Sequence, residues 1–480
     1  MTIAIDEKLF DERLAELEKA RAWSPRLVSK LEALIRAEDD YAVFRVNPLR
    51  FAADRGVAEA EAVDLFIHAA ARGLMRMDWL LLCPGCSSAA ASFHKLDQVH
   101  NQFHCTVCQA DFVAMLDDYI AVAFTVAPAI RRIAYHEPET LGAEDYCLRY
   151  RMTDWGVLPD GMPLAHLMAK LRVAAVIVPP GESVEASVEA EAGNWLVGKN
   201  FDSDAIFSYE VAGEGAGPRA APIVYRDTVC EPAQATLGAG RISLRAVNEG
   251  RRRAVMFVIR HPHAPAKPAP TLIPFLSGKR LITTQCFREL FRTEVVGGSE
   301  GIGVKDITLL FTDLKGSTAL YDRIGDLNAF ALVQEHFERL RAVTARHRGS
   351  VVKTIGDAVM AAFAEPVDAV AASLDMLGAI EEFNRRAGVR EVVLKVGIHR
   401  GPAIAVTLND RLDYFGQTVN IAARIQGLAD ADEIFVTDEV REAPGVADSV
   451  AAHPVDKRMV QLKGVGREMV VFRFGPRPAA

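Results

Sequence analysis

From Lys8 to Asp78 apolar residues return every three or four positions, in Leu9, Leu14 and Leu17 and again in Leu27, Leu31, Leu34 and Ile35. That period predicts helices with one buried face. Ser24-Pro25 offers a cap and a first helical position, and Leu49 to Leu74 reads as helix, Arg55-Gly56 turn, a second helix from Ala58 to Ala71 and an Arg72-Gly73 stop. The outline is that of a helix-turn-helix or winged-helix-like unit. From Leu116 to Ile259 the pattern shortens to alternating runs broken by Gly, Pro and Asn. Val173–Val178 predicts a strand, Pro179-Pro180-Gly181 a turn and Val184–Glu189 the next strand, while Arg241–Val247, Asn248-Glu249-Gly250 and Ala254–Ile259 predict a hairpin. The expected architecture of this stretch is an antiparallel β-sandwich or barrel.

Four prolines between His261 and Pro270 predict an exposed connection, followed by a short helix over Leu281–Phe291 with Phe287, Leu290 and Phe291 on one side. Gly297 to Gly303 is a glycine-rich boundary, and a new domain begins after it. The organisation expected is a helical unit over 1–78, a four-cysteine element over 79–116, a β-rich regulatory domain over 117–265, a linker with a short helix over 266–303 and a last domain over 304–475.

At 480 residues the chain is long enough for about three folded units. It is 50% hydrophobic and 25% charged, which argues against disorder and against a disulfide scaffold. The net charge of −8 lacks the basic field of a nucleic-acid coat, and Asp11 to Leu80 holds 11 basic against 13 acidic side chains. The helical unit is therefore expected to serve packing, and nucleic acid is not an expected partner. The longest apolar stretch, Tyr119 to Ile130, is about 12 residues and contains Pro128, too short for a membrane span. With no secretory pattern at Met1 to Lys8, the expected compartment is the cytoplasm.

Candidate chemistry gathers after residue 304. Asp306–Phe311 reads as a buried strand that delivers Thr312-Asp313 to its end, and Gly316, Ser317 and Thr318 open a helix whose N–H groups face an anion. Ser350–Thr354 and Ala358–Phe363 predict a hairpin with Asp357 at its tip, a second carboxylate for divalent metal, or else a simple turn-former. In Asp413 to Arg424, Asn420 and Arg424 lie four apart on one face of a helix, where an amide can orient a sugar and a guanidinium can neutralise phosphate charge.

Phe311 to Thr318, Lys353 to Asp357 and Asp413 to Arg424 together resemble the class III nucleotide cyclase catalytic domain, over about a third of the chain. The resemblance implies a ferredoxin-like α+β palm, with helices over Ala329–His347 and Val367–Phe383, and a homodimer with sites between two catalytic domains. It implies that Asp313 and Asp357 hold two Mg²⁺ or Mn²⁺ per site and that Lys353 and Asp413 select the purine. Asn420 and Arg424 would stabilise the transition state, and Lys463 would reach the triphosphate. Adenine's N6 donor and N1 acceptor complement a carboxylate and an ammonium, so ATP is the expected substrate and cyclic AMP with pyrophosphate the expected product. The alternative is a catalytically silent nucleotide-binding regulator whose N-terminal region binds nucleic acid or protein.

Cys83-Pro84-Gly85-Cys86 and Cys105-Thr106-Val107-Cys108 are separated by 18 residues, the spacing of a four-cysteine zinc ribbon. Structural Zn²⁺ is the expectation, with a redox dithiol pair or a degenerate knuckle as the alternatives. The whole N-terminal region is expected to be regulatory, answering to a ligand or protein that the residues do not identify.

Overall fold

The computed structural model describes residues 5–475 apart from 38, 214, 216, 263–269, 299–300, 317–321 and 388–391. Four helices open the chain: α1 (Glu7–Glu18), α2 (Leu27–Ile35), α3 (Pro48–Arg55) and α4 (Glu59–Ala71). Asn47 caps α3 by accepting from the Leu49 N–H, Pro48 occupies its first position, and Gly56 ends it at φ +60°. The expected Ser24 cap of α2 does not form. That helix starts at Leu27 behind a left-handed Arg26, and the Ser24 hydroxyl instead donates to Glu61 at 2.7 Å.

β1 (Met75–Leu82) runs antiparallel between β2 (Ala89–Phe93) and β5 (Ile120–Val126), and the hairpin of β3 (Gln102–Cys105) and β4 (Ala110–Val113) lies between them in sequence. The apolar run at Tyr119 to Ile130 thus contains a strand buried at every residue. No helix among the described residues is long and apolar enough to cross a membrane.

Nine strands then form two packed sheets: β6 (Arg172–Val178), β7 (Ser183–Ala190), β8 (Trp195–Asn200), β9 (Ile206–Ala212), β10 (Ala220–Arg226), β11 (Val229–Glu231), β12 (Gln234–Gly238), β13 (Gly240–Asn248) and β14 (Ala254–His261). One sheet has the order β12-β9-β8-β14-β6 and the other β11-β10-β13-β7. The sandwich is present, but it is not wholly antiparallel, because β9 with β12 and β10 with β13 pair in parallel. The predicted hairpin is also corrected. β13 and β14 belong to opposite sheets, as do β6 and β7, so both turns are arches across the sandwich. Ile242, Leu244 and Ala246 share a buried core with Ala254, Met256 and Val258. Alternation predicts an inward face, and a strand can bury that face as well by crossing over as by pairing with its neighbour.

The connector that follows holds two short helices, α5 (Gly278–Ile282) and α6 (Gln285–Leu290), where one was expected. Phe287 is buried and stacks on Phe291 with ring centroids 5.5 Å apart, whereas Leu290 is exposed and leaves the predicted apolar face.

The last region is β15 (Ile302–Leu314), α7 (Asp326–Arg346), β16 (Gly349–Ile355), β17 (Ala358–Phe363), α8 (Pro366–Ala387) and β18 (Leu394–Leu408), continued by β19 (Arg411–Phe415), α9 (Gln417–Gln426), β20 (Glu433–Thr437), β21 (Val455–Gln461) and β22 (Glu468–Phe474). Its sheet runs β16-β17-β15-β18-β20-β22-β21, with β19 paired to β18. The first four strands take the β-α-β-β-α-β order of a ferredoxin-like palm. Leu310 and Leu314 of β15 join the core under α7 and α8, while Ile307, Leu309 and Phe311 join a core shared with Leu116, Ile120 and Phe287 of the preceding regions. The seam is also polar: the Leu116 N–H donates to the Gly303 carbonyl at 3.0 Å, and the Lys305 N–H to Asp117 at 3.0 Å.

Candidate active site and cysteine cluster

Asp313 sits near the end of β15, opposite Lys395 on β18, whose Nζ lies 3.8 Å from its Oδ2. Asp357 stands in the two-residue turn between Ile355 and Ala358, after Gly356 at φ +63°. Desolvation and then the neighbouring Asp357 charge push the Asp313 carboxyl above its ordinary range, against the pull of Lys395 and Gln426. Oδ2 of Asp357 is buried without a hydrogen-bond partner among the described residues. Beneath this turn α7 carries fully buried His336, whose imidazole burial pushes down to about 4 despite the Asp357 charge.

Gly316 follows at φ +76°, and Lys315 pairs with Asp430. Ser317 and Thr318, expected to open a phosphate-facing helix, lie outside the described residues.

Lys353 on β16 and Asp413 on β19 meet at 2.5 Å between Nζ and Oδ2, and the other Asp413 oxygen accepts from the Tyr414 N–H at 2.8 Å. Asp413 is buried, whereas Lys353 is partly open to solvent. The pair is braced by α6, which belongs to the connector. Gln285 accepts from the Val351 N–H at 2.8 Å, and the half-buried Arg288 donates to the Leu412 carbonyl and lies 5.9 Å from the Tyr414 ring centroid.

Asn420 and Arg424 lie on α9, Asn420 exposed and Arg424 half-buried. A Cβ on Gly464 would come within 3.3 Å of the Arg424 guanidinium, so the turn carrying exposed Lys463 lies directly against Arg424. Three clusters result: Asp313 with Asp357, Lys353 with Asp413, and Arg424 with the Lys463 turn. Among the described residues no hydrogen bond or ion pair joins the first cluster to the other two. Lys395, Gln426, His336 and Arg288 were not foreseen. The first two depend on strand register and helix docking, which apolar patterning does not carry, and Arg288 sits in a helix with no chemical signature.

In the N-terminal region the four sulfurs of Cys83, Cys86, Cys105 and Cys108 lie within 4.8 Å of one another. Cys83 to Cys108 is 3.6 Å and Cys86 to Cys105 is 3.7 Å. The Cys108 N–H and the Ser88 hydroxyl approach Cys105 Sγ at 3.4 and 3.3 Å. A Cβ on Gly85 would sit 3.1 Å from Cys108 Sγ, so glycine lets the first knuckle close. Hydrogen bonds from the other three cysteines hold the Cys105 thiol far below its usual range. His104, between the knuckles, turns outward to Asp111 and Asp204 at 2.9 and 2.7 Å.

Residues 302–473, which form this palm, match the adenylate and guanylate cyclase catalytic domain. Residues 10–289 match a family of unknown function, DUF5939, and the chain belongs to that family, with the cyclase catalytic domain at its C-terminal end. Adenylate cyclase 1 of Rhizobium meliloti (strain 1021) is 30% identical over 158 residues, 29% of this chain and 24% of that protein. An adenylate cyclase of Anabaena cylindrica is 26% identical over 181 residues, 35% of this chain and 36% of that protein. The chain thus spans about a quarter to a third of the length of these curated relatives. The crystal structure of the guanylyl cyclase Cya2 is 24% identical, covering 37% of this chain and 94% of that one, with a TM-score of 0.33.

Proposed function

We propose that this protein is an adenylate cyclase that converts ATP to cyclic AMP and pyrophosphate as a homodimer, under the control of its N-terminal region. The observation that carries the choice of base is the Lys353–Asp413 pair at 2.5 Å. An ammonium has three donors and a carboxylate about four lone-pair positions, so each keeps capacity for a base after bonding the other. Asp413 accepts from the adenine N6 amino group and Lys353 donates to N1, a pattern that guanine reverses.

Asp313 and Asp357 are hard oxygen donors, and the unpartnered Asp357 Oδ2 fits them to hold two Mg²⁺ or Mn²⁺. When bound, such ions lower the pKa of the ribose 3′-hydroxyl and neutralise triphosphate charge. Asn420 orients the ribose while the 3′-oxygen attacks the α-phosphorus and releases its proton to water. Pyrophosphate leaves with the bonding electron pair, and the Arg424 guanidinium stabilises the charge that develops. Lys463, on the turn against Arg424, binds the departing phosphates. The match of residues 302–473 to the cyclase catalytic domain supports a dimeric arrangement.

The four cysteines fit Zn²⁺ by their own geometry. Tetrahedral zinc with bonds of about 2.3 Å sets its sulfurs about 3.8 Å apart, close to the 3.6 and 3.7 Å found here. Bound zinc would be structural, since four thiolates close the coordination shell.

Cyclic-nucleotide production by the full chain, with ATP and GTP in parallel and Mg²⁺ or Mn²⁺ present, tests the reading. Cyclic AMP is expected in excess, and Lys353→Glu with Asp413→Cys should lower the ATP-to-GTP preference by about tenfold or more. An unchanged preference overturns the assignment of the pair. No cyclic product from either nucleotide overturns the cyclase.

A further inference from the structure

The N-terminal region holds a buried guanidinium, Arg45, with no carboxylate at ion-pair distance, the Asp78 charge acting on it only from further off. A cleft of about 450 Å³ opens between the helical unit and the segment around Arg149 to Trp155, with Tyr41, Arg45, Arg50, Arg149 and Trp155 among its walls. Arg45 is 8% exposed, its guanidinium lies 4.6 and 4.8 Å from the rings of Phe44 and Tyr150, and Nη1 donates to the Tyr150 carbonyl at 2.6 Å. Nε is buried without a partner. Among the described residues Nη2 makes no hydrogen bond and no carboxylate reaches ion-pair distance of Arg45. The neighbouring arginines differ: Arg50 pairs with Asp154, and Arg149 lies 3.5 Å from Asp145.

A buried cation without a counter-ion is costly, and a charge-assisted bond to an incoming anion relieves it. Phe44 and Tyr150 stack on each other with centroids 5.8 Å apart, so both rings lie to one side of the Arg45 guanidinium, and its unpartnered Nε and Nη2 edge keeps donors for a ligand. Tyr41 and Trp155 add flat apolar surface. Tyr150 itself belongs to a π-helical turn, Tyr146–Arg151, a rare conformation that concentrates at functional sites.

We propose that this cleft binds a small planar organic anion, its carboxylate or phosphate on the free edge of Arg45 and its flat body against Tyr41 and Trp155. The walls touch the connector directly. The Trp155 carbonyl accepts from the Ile273 N–H at 2.8 Å, its ring stacks on Phe275 at 6.2 Å, and the Asn47 amide donates to the Pro274 carbonyl at 2.9 Å. These residues lead into α5 and α6, so an occupant presses on the chain that braces Lys353 and Asp413.

Calorimetric titration of the full chain with 2-naphthoate and 2-naphthyl phosphate tests the site, with neutral 2-naphthamide and inorganic phosphate as controls. One saturable equivalent per chain is expected for at least one naphthyl anion, and comparison of the two tells which head group the edge prefers. Both controls should bind at least about tenfold more weakly. Arg45→Met should weaken the preferred anion about tenfold, and so should Ala42→Trp, which fills the cleft and leaves Arg45 in place; circular dichroism checks that both variants fold. No binding of either naphthyl anion overturns the proposal, as does undiminished binding by both folded variants. Phosphate alone binding as well as the naphthyl anions overturns the planar-ligand class.

Discussion

The cysteine cluster and the aspartate pair are both donor sets suited to metal, and they are built in opposite ways. Around the thiols the chain is closed: Cys83, Cys86 and Cys105 are buried, and backbone and hydroxyl groups already approach the sulfurs. Asp313 and Asp357 stand at the end of a strand and in a hairpin turn, where two carboxylates leave most of a cation's coordination positions to water or phosphate. A closed donor set spends its binding energy on holding the fold, while an open one leaves it for a substrate.

The largest effect expected from this contrast is on turnover. Asp357→Ala should lower kcat by about a thousandfold or more and leave the melting temperature within about 2 °C. Cyclase assays alongside thermal melts check both halves. Activity retained by a folded variant would remove Asp357 from the metal assignment. Cys105→Ser should do the reverse. Loss of one thiolate from a closed site should cost several kcal/mol, about 3 or more, seen as a lower denaturation midpoint and as zinc lost from the purified protein. A Cys105→Ser protein of unchanged stability would show that the cluster is no structural centre.

What was legible in the chain follows the same division. The Asp313, Asp357 and Asn420–Arg424 motifs are short, local and ordered, so residues alone located them together with the strand, hairpin and helix that carry them. The cysteine knuckles were legible for the same reason. The hairpin expected over Arg241–Ile259 is instead an arch, because the alternation in Arg241–Val247 is equally satisfied by a partner in its own sheet and by one across the sandwich. Lys395 could not be foreseen, because its place beside Asp313 exists only once β15 and β18 fix their register. Arg288 and Gln285 were invisible for a related reason. Their role is to reach another region, and nothing in their own helix records what lies there.

Enclosure should also decide what a titratable group does inside the catalytic region. His399 on β18 is 4% exposed, its Nδ1 is 2.9 Å from the Thr437 hydroxyl, and burial first, then the Arg467 charge, push its pKa down to about 4 against the opposing Asp438. Glu439 lies 3.8 Å from the same nitrogen. An unfolded histidine titrates near 6.5, so the unfolded chain takes up a proton that the folded one refuses. The stability this gives is complete above about pH 6.5 and is lost as the pH falls toward about 4, by about 2 to 3 kcal/mol. His399→Gln keeps a polar partner for Thr437 without titrating. Urea denaturation at pH 7 and pH 4.5 should therefore show a smaller acid loss in the variant, and equal losses would mean that the imidazole titrates as though exposed.

The smallest expected effect lies on the boundary between the two kinds of site. Arg288 belongs to the enclosed connector, and burial lowers its pKa, yet it reaches the Leu412 carbonyl and the Tyr414 ring beside Asp413. If it only fills space, Arg288→Ala should cost stability, about 1 to 3 kcal/mol for the carbonyl it abandons, and leave the kinetics of the folded fraction alone. If it positions the strand that reads the base, KM for ATP should rise several-fold and the ATP-to-GTP preference should fall, with kcat nearly unchanged. We expect the second result, because Gln285 on the same helix grips β16 at Val351, two residues before Lys353. One short helix then holds both members of the Lys353–Asp413 pair, and loosening it at Arg288 should move Asp413 while Lys353 stays tethered. Arg288→Lys restores a donor to the Leu412 carbonyl but not the planar fork, so partial recovery of the preference would mark positioning, and full recovery of stability without preference would mark packing.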